Sequence, residues 1–192
     1  NASRPGALSQ GRYGAKVAVP LILDMLADHL VPATFFIPGR VAESYPERVR
    51  EIVAAGHEVG HHGYTHVSPT ALGPAAEEEE LLRGTEALER LAPAVRGYRS
   101  PSWEFSDRTL GLLERHGFAY SSNFMDDIRP YTHEGSSIVE LPVHWILDDA
   151  AHFWFAEDSW TKQIATIARV EELWSAEFEG IRRLGGCCVF TM

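Results

Sequence analysis

Cysteine, excess positive charge and long apolar runs are all scarce in this sequence. The two cysteines among 192 residues, Cys187 and Cys188, are neighbours, so a disulfide between them would be strained and a reducing, cytoplasmic compartment is predicted. With 17 Lys and Arg against 27 Asp and Glu, the net charge of −10 disfavours nucleic acid as a partner. No apolar run approaches membrane-spanning length, so no membrane partner is expected.

Short apolar segments alternate with longer helical patterns along the chain. The length suits one domain, and the alternation predicts an α/β fold with a parallel sheet, either a barrel or an open doubly wound sheet. The predicted strands cover residues 33–37, 57–60, 95–99, 119–122, 138–143 and 187–191. The predicted helices cover residues 21–30, 46–55, 74–91, 107–116 and 159–184, the last one capped by Ser159. The acidic run from Glu77 to Glu80 is expected on a solvated helix face.

The two ends of the chain leave the predicted sheet incomplete. No clear strand precedes residue 33, and the last predicted strand runs to the terminus, so an unpaired strand edge would remain. The sequence also begins on Asn1 rather than Met. We therefore expect a piece of the domain to be missing at each end.

Histidines cluster between residues 56 and 66. Of the 9 histidines in the chain, four occupy positions 57, 61, 62 and 66. His62 and His66 are four positions apart, a spacing at which two imidazoles can converge on one ion, and Gly63 between them permits a tight turn. The spacing alone suits a metal site and a solvated histidine-rich turn equally well.

Polar residues follow the predicted strands, where ligands meet parallel α/β folds. Each position also has a structural interpretation: Arg99 could form a salt bridge, the aspartates could cap turns, and Trp103 and Trp145 could be packing residues. The residues in question are His61, His62 and His66 after the second strand, Arg99 to Trp103 after the third, Asn123, Asp126 and Asp127 after the fourth, and His144, Trp145, Asp148 and Asp149 after the fifth.

An ordered set of segments resembles the polysaccharide deacetylase family (carbohydrate esterase family four, NodB-homology domain). Residues 56–66, Gly-His-Glu-Val-Gly-His-His-Gly-Tyr-Thr-His, resemble its His-x-x-x-His metal motif. Residues 33–39 resemble its second strand, and residues 97–103 resemble its Arg-x-Pro motif. Residues 11–14, 121–127 and 141–145 are similar to an intracellular branch that includes peptidoglycan-deacetylase-like proteins, allantoinase-like proteins and cyclic-imide hydrolases.

The resemblance implies a single NodB-homology-like domain over residues 1–192, folded as a distorted (β/α)7-type barrel. It implies a divalent metal, usually zinc, held by His62, His66 and one aspartate, with His61 supporting a ligand indirectly. The family's aspartate pair, which supplies the third ligand and the general base, is not seen before residue 33, and its general-acid histidine would lie just past Met192. Both gaps agree with the incomplete sheet.

The activity implied is hydrolysis of a C–N amide bond in an N-acetylated sugar or a related small amide. Arg99 would orient the base, and a backbone N–H near Ser102 or Trp103 would stabilise the oxyanion. Substrate contacts are expected from Tyr64, Ser102, Trp103, Asp126, Asp127 and His144. The alternatives are a cyclic imide or ureide hydrolase, acting with or without metal, and a catalytically degenerate barrel that binds a ligand or partner. Relatives of the branch are often tetramers, so a homo-oligomer, tetramer or dimer, is expected.

Overall fold

The structure is a computed structural model that describes residues 5–154 and 164–192. The chain divides into two compact units, one ending at Phe118 and the other beginning at Ala119. Among the described residues, no helix combines the length and apolar character needed to cross a bilayer. The predicted cap at Ser159 lies outside the described residues.

The first unit contains three parallel strands and most of the helices that the structure describes. Its elements are α1 (Pro5–Tyr13), a π-helix (Gly14–Ala18), α2 (Val19–His29), β1 (Thr34–Ile37), α3 (Gly39–Ser44), α4 (Pro46–Ala54), β2 (Glu58–His61), a 3-10 helix (Pro69–Ala71), α5 (Pro74–Glu89), β3 (Gly97–Tyr98) and α6 (Thr109–Arg115). β1 and β2 pair in parallel from Thr34 and Glu58 to Ile37 and His61, and β2 pairs with β3 in parallel through His61. Helix α1 was not predicted from its glycine-rich sequence.

β2 ends one residue later than predicted, and this shift decides where the histidines point. Successive side chains on a strand face opposite sides. Val59 and His61 therefore share the inner face and are 3% and 0% exposed, whereas His62 follows the end of the strand. Gly60 faces the other way, where an added Cβ would lie 2.5 Å from the ring of Phe36, so the ring covers this backbone position.

The second unit combines a parallel pair of strands with a short antiparallel one. Its elements are β4 (Tyr120–Ser121), β5 (Tyr131–Thr132), β6 (Val139–Glu140), a 3-10 helix (Trp145–Leu147), α7 (Asp149–Phe153) and α8 (Ile167–Arg183). β6 pairs in parallel with β4 and antiparallel with β5. β5 was not predicted, because Pro130 precedes it and the polar segment 133–137 follows it, whereas β6 lies in the apolar run 138–143.

The predicted strand over residues 187–191 is wrong. Only Thr191 pairs, through an isolated parallel bridge to Asp148. An apolar run becomes a strand only where another strand offers a matching ladder, which the run itself does not reveal. The α/β class and the parallel pairing are nevertheless confirmed, and closure into a seven-stranded barrel stays a prediction.

Candidate metal site

His62 and His66 lie side by side in the loop that leaves β2. Their ring centroids are 4.9 Å apart, and the ring planes cross at 71°. Two imidazoles that share a tetrahedral zinc at about 2.0–2.1 Å place their ring centres about 5 Å apart, so this spacing fits a common ion. Gly63 and His66 both have positive φ, 72° and 65°. Such a backbone is costly for a residue with a side chain and is typical of functional loops.

One hydrogen bond fixes which nitrogen of His62 can bind an ion. Its Nδ1 lies 2.7 Å from the backbone carbonyl oxygen of Arg99. A carbonyl oxygen only accepts, so Nδ1 carries the proton and donates, and Nε2 carries the lone pair. A ring nitrogen held in this way sets the tautomer of a metal-binding histidine.

The electrostatic surroundings keep His62 neutral. Burial lowers the pKa of His62 from 6.5 to about 4, which the bond to the Arg99 carbonyl opposes and the nearby positive charge of Arg99 reinforces. A metal ion needs the neutral imidazole, so His62 is ready for a ligand role near neutral pH. Within residues 5–154 and 164–192, no three side chains of His, Cys, Asp or Glu gather around one point. The part of the chain that the structure describes thus supplies two imidazole donors.

His61 points into the protein, and both of its ring nitrogens are used there. Nε2 donates to the carbonyl oxygen of Leu81 at 3.0 Å, and Nδ1 accepts from the backbone N–H of Gly63 at 3.1 Å. Burial lowers its pKa to about 4. His61 therefore ties β2 and the start of the histidine loop to helix α5.

Gly84 lets α5 approach His61 closely. An added Cβ at Gly84 would lie 2.2 Å from Nε2 of His61 and 3.1 Å from the carbonyl oxygen of Gly63. Gly84→Ala is expected to lower the free energy of unfolding by about 3 kcal/mol, because fully buried His61 must move and give up its bond to Leu81. Denaturant unfolding measures the change.

The matched control is Gly111→Ala in α6, where an added Cβ meets nothing within 4 Å. Alanine is the better helix former by up to about 1 kcal/mol, so this variant should be slightly stabilised. A Gly84→Ala protein as stable as Gly111→Ala would contradict the close packing.

The expected solvated face of residues 77–80 holds for the exposed Glu79 and is wrong for Glu77. Glu77 is 5% exposed, and it accepts from the hydroxyls of Ser106 and Thr109 and pairs with Arg108 at 3.1 Å. Glu80 accepts from the backbone of the histidine loop. Glu77 and Glu80, at positions i and i+3, share a helix face, but the sequence does not show which loops cover that face.

Arg99 lies at the end of β3 with its side chain buried, at 8% exposed. Its guanidinium carbon lies 4.5 Å above the ring of Phe36 on β1. The backbone N–H of Arg99 donates to the carbonyl oxygen of His61 at 2.9 Å. The main chain of Arg99 thus contacts both His61 and His62. This contact carries no signal in the sequence beyond the position of Arg99 next to the loop.

The predicted substrate contacts of the first unit are all engaged within the protein. Tyr64 is buried, and its hydroxyl donates to Glu43 at 2.9 Å. Ser102 donates its hydroxyl to Ser68 at 2.8 Å. Trp103 is 7% exposed. Its backbone N–H, a candidate oxyanion donor, donates to the carbonyl oxygen of Ser100 at 3.2 Å. The N–H of Ser102 lies 3.5 Å from Oγ of Ser100, a weak contact that makes it the better donor of the two.

The predicted substrate contacts of the second unit have local partners. Asp126 is exposed and accepts from the Tyr131 hydroxyl at 2.6 Å. Asp127 accepts from the N–H groups of residues 128 and 129, an Asx-type turn. His144 is exposed and accepts from the N–H of Ile146 at 3.2 Å, which caps the 3-10 helix. Each of the three therefore has a structural role in its own turn.

A buried polar cluster in the second unit was missed by the sequence analysis. Glu140 is 0% exposed and lies 2.9 Å from Nε2 of His133. It also accepts from the Ser121 hydroxyl and from the N–H of Asn123 at 2.5 Å. The cluster ties β4, the loop after it and β6 together. A glutamate within an apolar run was the only signal available.

The comparisons with known proteins point to one family. Residues 13–121 match the family model described as polysaccharide deacetylase. A peptidoglycan deacetylase from Helicobacter pylori is 32% identical over 216 aligned positions, which cover 98% of this chain and 74% of that protein. The resemblance inferred from the motifs is confirmed.

Solved structures agree with this family. A crystal structure of a Mycobacterium smegmatis protein assigned to the polysaccharide deacetylases has a TM-score of 0.93 at 44% identity, covering 99% of this chain and 68% of that one. An allantoinase crystal structure has a TM-score of 0.80 at 22% identity, covering 94% of this chain and 61% of that one, which shows a shared fold. The chain thus belongs to the polysaccharide deacetylase family, a family of hydrolases that act on carbon–nitrogen bonds other than peptide bonds.

Proposed function

We propose that this chain removes the acetyl group from an N-acetylated sugar of the peptidoglycan or chito-oligosaccharide type, with a divalent metal held by His62 and His66. The observation that carries the proposal is the geometry of this histidine pair, whose ring centroids lie 4.9 Å apart with Nε2 of His62 left as the acceptor. The H. pylori relative, a peptidoglycan deacetylase that aligns with 98% of the chain, supports the substrate class.

The residues present fit a zinc-like ion through two nitrogen donors. When bound, such an ion acts as a Lewis acid that lowers the pKa of water and polarises an amide carbonyl. The chain itself presents His62 in one tautomer through the carbonyl of Arg99 and keeps it neutral by burial. A third ligand and a general base remain part of the proposal without an assigned residue.

Arg99 has a positioning role in this scheme. Its buried guanidinium carries a fixed positive charge beside the histidine loop and lies over an aromatic ring, an arrangement that holds the side chain in one orientation. A positive charge favours the ionised form of a carboxylate nearby. We therefore assign Arg99 to keeping a carboxylate base charged, as expected from the Arg-x-Pro motif. The N–H of Ser102 is assigned to the developing oxyanion.

Acetate release tests the proposal. The full-length protein, including any residues that flank this sequence, is loaded with Zn²⁺ and incubated with N-acetylglucosamine oligomers and, in parallel, with a cyclic ureide. We expect acetate from the oligomers, loss of activity after chelation and recovery when Zn²⁺ is returned. Ureide opening without acetate release would favour the small-ring alternative, and turnover of neither substrate by the zinc-loaded full-length protein would favour a binding role.

A further inference from the structure

Helix α5 touches the histidine loop through one carboxylate. Oε2 of Glu80 accepts from the backbone N–H of Tyr64 at 3.0 Å and from that of Thr65 at 2.7 Å, and Oε1 accepts from the Thr65 hydroxyl at 2.9 Å. Hydrogen bonds to an ionised acceptor are about twice as strong as those between neutral groups. Glu80 therefore holds the two residues that lie immediately before His66.

The rest of the loop is held by different contacts. The N–H of Gly63 donates to His61, and the carbonyl oxygens of Gly63 and Tyr64 accept from the N–H groups of residues 39 and 40 at 3.0 Å. The described contacts of the N–H groups at 64 and 65 all go to Glu80. Tyr64 is therefore tied both to α3 and to α5, whereas the described bonds of Thr65 go to Glu80 on α5.

The residue under conformational strain, His66, directly follows Thr65. His66 has a φ of 65°, a region that costs a non-glycine residue of the order of 1 kcal/mol or more. Such a backbone persists only when the surrounding contacts fix it. Without the three bonds from Glu80, Thr65 and His66 can relax while Tyr64 stays bonded to α3, and the imidazole of His66 would then leave its position 4.9 Å from His62.

We propose that Glu80 is a positioning residue that holds the imidazole of His66 beside that of His62, at the spacing that metal binding needs. The inference rests on the proposed function, because it assumes that the pair binds an ion. It goes further in assigning the geometry of the pair to a carboxylate that is itself no ligand. Partners that orient metal ligands typically change metal affinity by about 10–100-fold when removed.

Three substitutions on α5 separate this role from general stability. Glu80→Ala removes all three bonds. Glu80→Gln keeps a carbonyl oxygen for the two N–H groups and offers its amide to the Thr65 hydroxyl, so it should rescue most of the effect. Glu79→Ala is the matched control, since the exposed Glu79 makes a 3.6 Å ion pair with Arg83 and does not contact the loop in its described contacts.

The experiment measures the Zn²⁺ dissociation constant of each full-length variant by competition with a chelator, alongside the unfolding temperature of the metal-free protein. We expect Glu80→Ala to bind Zn²⁺ about 10–100-fold more weakly than the wild type, with Glu80→Gln close to wild type and Glu79→Ala unchanged. A folded Glu80→Ala protein with wild-type affinity overturns the inference. If Glu80→Ala does not fold, Glu80→Asp decides in the same way, because its shorter side chain cannot reach all three donors.

The two proposals fail differently. A wild-type chain that binds no Zn²⁺ overturns the metal-dependent function, and the role of Glu80 with it. A wild-type chain that binds Zn²⁺ while Glu80→Ala binds it equally well overturns the role of Glu80 alone. A lowered unfolding temperature in Glu80→Ala with unchanged Zn²⁺ affinity would assign Glu80 to stability and likewise overturn its role in positioning.

Discussion

His62→Ala is expected to abolish deacetylation and to reduce Zn²⁺ binding sharply. The substitution removes the imidazole whose Nε2 is left as the acceptor by the bond from Nδ1 to the Arg99 carbonyl at 2.7 Å, so the ion would lose one of its two proposed ligands. Lewis-acid stabilisation is worth several kcal/mol, and each 1.4 kcal/mol is a factor of ten in rate, so kcat/KM should fall by about a thousandfold or more. Acetate release and metal content per chain measure the two effects.

The control is another histidine outside the loop. His29 lies exposed at the end of α2, and His29→Ala should leave both activity and metal content unchanged. Retention of full activity and zinc content by His62→Ala would rule out the histidine pair as the metal site. A loss confined to stability, with zinc content intact, would do the same.

The stability of the metal-free protein is expected to fall as the pH drops from about 6.5 to about 4. The pKa of His61 is about 4 in the folded chain against 6.5 for an ordinary histidine. Between these values the unfolded chain binds a proton that the folded chain does not, so acid favours unfolding. The contribution of neutral His61 to the free energy of unfolding is fully present above pH 6.5 and is lost as the pH falls towards 4. The shift corresponds to about 3 kcal/mol for His61, and His62 acts in the same direction.

His61→Gln isolates this contribution. A glutamine amide can donate to the Leu81 carbonyl and accept from the Gly63 N–H, as His61 does, but it does not titrate. Denaturant unfolding at about pH 7 and about pH 4.5 should therefore show a smaller drop in His61→Gln than in the wild type. Equal drops in the two proteins would show that His61 is not held neutral by burial.

Much of this fold could be read from the sequence because its signals are local. Pro46 and Pro74 each mark the first turn of a helix, and the residues 33–37 that were predicted as a strand contain β1. The helix over 107–116 was predicted too long, since it begins at Thr109 after a turn in which Ser106 and Thr109 are bonded to Glu77. Tertiary contacts decided that boundary.

The candidate site was only partly predictable for the same reason. The four-residue spacing of His62 and His66 predicted a pair, but the direction of Nε2 depends on a carbonyl 37 positions away in the sequence. The hydrogen bond from the backbone of Thr65 to Glu80 likewise joins residues 15 positions apart. Glu80 is also one of four consecutive glutamates, so the sequence does not single it out. Backbone donors and acceptors are the same for all residues, so a sequence cannot show which of them meet.

Zinc-edge diffraction from crystals grown with Zn²⁺ tests the central claim most directly. The account predicts a single anomalous peak at about 2.0–2.1 Å from Nε2 of His62 and from one ring nitrogen of His66, with Nδ1 of His62 still bonded to Arg99. A peak elsewhere on the chain, or an ion bound through Nδ1 of His62, would contradict it.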